Sequence, residues 1–138
     1  MKLTNLLSIS VLLLLASCSP KVVTNLIKTY PNPVPADSVR VFELGETVPN
    51  TAEAIGRVSV IDPGTATKCR YNEVVHLAQE AVGKAGGNGF AITWHEDPSF
   101  WRSSCHQISG LMLYLKDNEV DTLRANPVQY AIDLNFVV

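Results

Sequence analysis

One stretch of this chain has a helical period, and strand-like patterns flank it on both sides. Val74, Leu77, Ala78, Ala81, Val82 and Ala85 recur at the spacing of one helical face. Glu73, Gln79, Glu80 and Lys84 fall mostly on the other face, and Gly86-Gly87 supplies the left-handed freedom that a helix end wants. Before this helix, Val39, Val41 and Leu44 alternate with Arg40 and Glu43, a strand pattern. Residues 55–61 predict a second strand, stopped by the turn signal Asp62-Pro63-Gly64. After the helix come Phe90–Trp94 and Ile108–Leu115, the latter so apolar that it predicts a central strand. Lys116-Asp117-Asn118 then turns, and alternation over Val128–Val138 predicts a last strand. The order predicts an α+β fold, a single helix packed on one face of a small, mostly antiparallel sheet of four to five strands.

The N-terminal end is organised differently. Lys2 precedes an apolar run over residues 6–16, broken only by Ser8 and Ser10. A bilayer core takes roughly 20 residues, so this run reads as a targeting segment and not as a span. Ala16 and Ser17 are narrow, as a signal peptidase requires. Leu15-Ala16-Ser17-Cys18 resembles the bacterial lipobox, in which the cysteine sulfur is lipidated and cleavage makes that cysteine residue one. The expected organisation is a signal peptide over 1–17, a lipidated Cys18 with a Pro-rich tether over 18–37, and one α+β domain over 38–138. Pro20, Pro31, Pro33 and Pro35 make the tether semi-rigid. Its middle, Lys21–Tyr30, is too apolar for a pure linker, and a short edge strand and a segment lying along the domain are both open. Ser19 in place of an aspartate resembles lipoproteins forwarded to the outer membrane, and the absence of an acidic run after Cys18 argues for a periplasmic face. The chain has 11 basic and 13 acidic residues, a net charge of −2, and no basic cluster, which argues against nucleic acid as a partner.

Further residues carry a resemblance. Val39-Arg40-Val41-Phe42, Ile55-Gly56-Arg57-Val58, Cys69, the helix, Gly86-Gly87-Asn88-Gly89-Phe90 and Cys105 follow one another in an order that resembles the small lipoprotein domain of the Rcs-type envelope-stress sensor and its relatives. The resemblance covers residues 38–115. It implies an α+β domain with a disulfide joining the loop before the helix to the loop before the last family strand, positions that Cys69 and Cys105 match. The sensor's second disulfide has no counterpart here, and this chain continues past Leu115 to Val138.

The residues themselves leave three states of Cys69 and Cys105 open. A disulfide would close a loop of about 37 residues, worth roughly 4 kcal/mol in the chain-entropy model. A Cys2His2 metal site would use Cys69, His76, Cys105 and His106, although adjacent Cys-His side chains in an extended segment point apart. Free thiols are the third state. In the loop before Cys105, His95, Glu96 and Asp97 invite an acid-base reading, and Ser103-Ser104-Cys105-His106 a nucleophile beside a base. No oxyanion motif accompanies them, so the expectation is a protein that is not an enzyme and has no cofactor. Phe100, Trp101 and Arg102 are residues of interface type. They either fold back over the sheet as core or form a partner-binding tip. Asp37-Ser38-Val39 and Asp121-Thr122-Leu123 resemble acceptor triplets of an envelope O-glycosylation system. The expected function is a non-enzymatic envelope lipoprotein that binds another envelope protein or senses envelope state.

Overall fold

The computed structural model describes residues 19–116. Cys18, the expected signal peptide, the predicted strand over 128–138 and the triplet at Asp121 lie outside the described residues. The elements are β1 (Lys21–Leu26), β2 (Arg40–Phe42), β3 (Glu53–Ile61), α1 (Tyr71–Lys84), β4 (Gly89–Glu96) and β5 (Gln107–Tyr114), with a 3-10 turn at Ala36–Ser38 before β2. They form a five-stranded sheet in the order β1-β3-β5-β4-β2. All pairings are antiparallel except β2 with β4. The α+β reading holds, and β5 is the central strand as its apolar run predicts.

The helix buries the face read from its spacing. Val74, Ala78, Val82 and Ala85 pack on Ile55, Val58, Val60, Phe90, Ile92, Ile108 and Met112. A smaller cluster of Phe42, Val48, Ala91, Leu113 and Leu115 sits on the opposite face of the sheet. Phe90 fits because its ring lies over Gly110 of β5, the residue that pairs with Ile92. A Cβ at Gly110 would lie 2.6 Å from the Phe90 ring and 2.2 Å from the Ala91 carbonyl oxygen. At the start of α1, the Glu73 carboxylate accepts from the backbone N–H of Arg70 at 2.8 Å. At its end Gly86 takes φ +80°, and Gly87 N–H donates to the Val82 carbonyl at 3.0 Å. This left-handed glycine stop is the one the sequence predicts.

Of the two readings left open for Lys21–Tyr30, the structure has the edge strand. Lys21–Leu26 pairs along β3 from Lys21↔Ile61 to Leu26↔Gly56 and is an edge strand of the sheet. The stretch after it is a strap across the end of α1. Tyr30 N–H donates to the Ala85 carbonyl and Val34 N–H to the Gly83 carbonyl, both at 2.9 Å. These are carbonyls of the helix end, where the next turn's donors are missing; the one on Gly83 also accepts from Gly86 N–H at 3.0 Å. The Tyr30 ring stacks on Tyr114 of β5 at 3.9 Å, and its hydroxyl donates to Glu53 at 2.6 Å. The folded unit therefore begins at Lys21 and not at residue 38. β2 is also shorter than its alternation suggests, since Leu44 lies beyond it and is exposed. Among the described residues no helix is long and apolar enough to cross a membrane.

Candidate functional site

The loop between β4 and β5, residues 97–106, gathers most of the chemistry-bearing side chains. Cys105 is disulfide-bonded to Cys69, with Cα atoms 5.1 Å apart, and both are buried. Of the three states left open by the sequence, the structure has the disulfide. Around it the loop is laced to the segment before α1. His106 N–H donates to the Cys69 carbonyl at 3.1 Å, the Ser103 hydroxyl donates to Asp62 at 2.6 Å, and Asp62 N–H donates to the Gln107 side chain at 2.9 Å. Asp62 also accepts from the N–H groups of Gly64 and Ala66. Donation from Ser103 is the chief reason its carboxyl is held below the usual carboxylate range, with the two backbone donors adding to it against a partial burial penalty.

Above this base the loop closes on itself, with Ser99 N–H donating to the Ser103 carbonyl at 2.7 Å. Phe100 and Trp101 stand at its tip, 92% and 88% exposed, with their rings edge-to-face. The reading of these two as core is corrected: the loop turns away from the sheet and leaves them in water. Arg102 reaches back to Glu96 at 3.0 Å and braces the tip.

Inside the loop's other wall lies a constellation that the sequence reading did not assemble. His95 Nε2 and His106 Nδ1 are 2.9 Å apart. Asp97 Oδ1 lies 3.5 Å from the first and 3.6 Å from the second. Both histidines are half-buried, and both rings contact Tyr71, the first residue of α1. Tyr71 donates its hydroxyl to Glu43 in a short hydrogen bond. Burial first, and that bond second, push the Tyr71 hydroxyl well above its ordinary range, so it stays protonated.

A β-bulge brings the histidines together. Ile92 pairs with Gly110, but Trp94 pairs with Ser109 and His95 with Ile108. The extra residue, Thr93, turns Trp94 to the outer face and His95 to the helix side. Alternation from there places His95 and Asp97 on the face that also receives His106, two residues before Ile108.

The Cys2His2 metal set is thereby overturned. Its two sulfurs are bonded to each other. His76 stands on the exposed side of the helix, 3.5 Å from Glu80 and 4.0 Å from Asp37. The helix begins only at Tyr71, so Cys69 and His76 do not share a helical face. Only His106 of that set enters the observed cluster. Ser38 of the first acceptor triplet lies half-buried in the 3-10 turn.

No family model, no curated protein and no solved structure matches this chain.

Proposed function

We propose that this protein is a non-enzymatic envelope lipoprotein, anchored through Cys18, that presents Phe100, Trp101 and Arg102 to another envelope protein. The observation that carries this reading is the pair of exposed aromatic rings on a loop fixed at its base by a disulfide. Leaving a large apolar side chain in water forgoes roughly 1.5–3 kcal/mol of burial. Two such residues side by side, on a stiffened loop, match the anchors of protein interfaces, where aromatic and arginine side chains dominate the binding energy. Holding the loop in one shape also lowers the ordering cost of association.

The anchoring part of the reading rests on Leu15-Ala16-Ser17-Cys18. With Cys18 acylated, only Ser19 and Pro20 separate the lipid from β1. The domain then rests near the membrane surface instead of standing off on a long tether. The resemblance to the envelope-stress lipoprotein domain and the place of the Cys69–Cys105 staple agree with a periplasmic location on the outer membrane.

The test is a photo-crosslinking residue in place of Trp101, expressed in the native envelope, with the same residue in place of exposed Arg57 as control. One discrete protein adduct from position 101, lost when Cys18→Ser releases the protein from the membrane, is the expected result. No adduct, or the same adducts from both positions, overturns the reading.

A further inference from the structure

We propose that His95 Nε2, His106 Nδ1 and Asp97 Oδ1 form a binding site for one Zn²⁺ ion. This goes beyond the envelope reading and does not depend on it. Zinc bonds imidazole nitrogen and carboxylate oxygen at about 2.0–2.1 Å in tetrahedral geometry, which sets its ligand atoms roughly 3.3 Å from one another. Here the three ligand atoms are separated by 2.9, 3.5 and 3.6 Å. A point about 2.0 Å from all three lies just off their plane, so the ion fits with little side-chain movement. Two imidazoles and one carboxylate are a donor set suited to zinc and its neighbours in the transition series, and poorly suited to calcium or magnesium.

The surroundings favour an ion as well. His95 lies in β4, and His106 directly precedes β5 with its N–H held by the Cys69 carbonyl at 3.1 Å, so their separation is set by the sheet, the bulge and the disulfide segment. Tyr71 covers one side of both rings. Asp97 faces water, with 81% of its side chain exposed, which gives the ion an entry path and leaves a fourth position for a water molecule. In the metal-free protein one imidazole donates its N–H to the other across the 2.9 Å contact. Binding places that hydrogen on the donor ring's other nitrogen, so that both neutral rings offer a lone pair, and forms two nitrogen–zinc bonds and one oxygen–zinc bond, with no change of oxidation state. Asp97 and His106 are the first and last residues of the loop that carries Phe100 and Trp101, so the bound ion would clamp that loop.

The experiment is calorimetric titration of the oxidised full-length chain in detergent with ZnCl₂ in a non-chelating buffer. The expected result is one site with a dissociation constant on the order of 1 µM or tighter. His95→Ala and His106→Ala should each weaken it at least about 100-fold, and Asp97→Asn about tenfold. His76→Ala should leave it unchanged. A wild-type chain that shows no saturation by about 100 µM Zn²⁺ overturns the proposal on the same affinity scale. So does equal binding by wild type and His106→Ala, or loss of binding on His76→Ala. Co²⁺ substitution of the wild type supplies a readout that needs no variant to fold. Visible bands of tetrahedral intensity are expected at one equivalent, and their absence overturns the site.

Discussion

Asp62 and Trp101 sit at opposite ends of the same loop system and should answer substitution in opposite ways. Asp62 accepts from Ser103, Gly64 and Ala66, and so joins the disulfide loop to the end of β3. Asp62→Asn leaves a weaker acceptor and should cost about 1 kcal/mol at pH 7, measured by urea unfolding. The sign of the pH dependence follows from its lowered carboxyl pKa. A carboxylate stabilised in the folded state contributes fully above its unfolded value of about 3.9 and loses that contribution as pH falls through the folded value. The difference between wild type and Asp62→Asn should therefore shrink as pH falls below about 4. Trp101→Ala removes a ring that touches mainly Phe100 and water. It should change stability by no more than about 0.5 kcal/mol, checked by thermal melting, whereas a core tryptophan would cost about 3–5 kcal/mol. The sequence could not choose between these two places for Trp101, because an aromatic beside a proline turn is compatible with both. Nor could it assemble the His95–His106 pair. Without the bulge at Thr93, simple alternation puts His95 on the outer face, and the bulge has no signature in the residues around it.

Among the elements, what was legible followed from period and punctuation. The stripe from Val74 to Ala85 and the stop at Gly86 gave α1, and the turn at Asp62-Pro63-Gly64 ended β3 where expected. The strap was not legible. Its prolines read as a linker, and only the fold shows that its N–H groups at Tyr30 and Val34 meet the Ala85 and Gly83 carbonyls at the helix end. The helix is shaped to receive it. A Cβ on Gly83 would lie 2.0 Å from the Val34 carbonyl oxygen. Gly83→Ala thus sets two effects against each other. Intrinsic helix propensity favours alanine by about 1 kcal/mol. Lifting the strap gives up the Val34 hydrogen bond and the packing behind it, and overpacking of this kind costs about 1–3 kcal/mol. The clash is with backbone and cannot be relieved by a rotamer change, so it should win. The variant is expected to be less stable in urea and to be cut faster by protease between residues 28 and 37. A more stable variant would mean that the strap is only loosely held.

At the scale of the whole molecule, one covalent bond joins the connection before α1 to the connection between β4 and β5. Cys69 and Cys105 are separated by 36 positions. Constraining a loop of that size in the unfolded chain is worth about 4 kcal/mol in the chain-entropy model. Small domains have a total stability of about 5–15 kcal/mol, so the staple is a large fraction of it. The same two connections are also joined by Ser103 to Asp62, by Asp62 to Gln107 and by His106 to Cys69. Those bonds act on the folded state, whereas the disulfide acts chiefly by limiting the unfolded one, so they do not replace it. Cys69→Ser with Cys105→Ser should therefore lower the unfolding free energy by about 3–4 kcal/mol. The wild type unfolded under reductant should fall to the same value. Both sulfurs are buried, so reduction should be slow until the protein opens. The change should appear in the urea midpoint, with a steeper dependence on urea because the uncrosslinked chain exposes more surface on unfolding. A loss below about 1 kcal/mol would show that the reduced unfolded chain already holds the two connections together, and that the hydrogen bonds around Asp62 are enough to keep the loop and its aromatic tip in place.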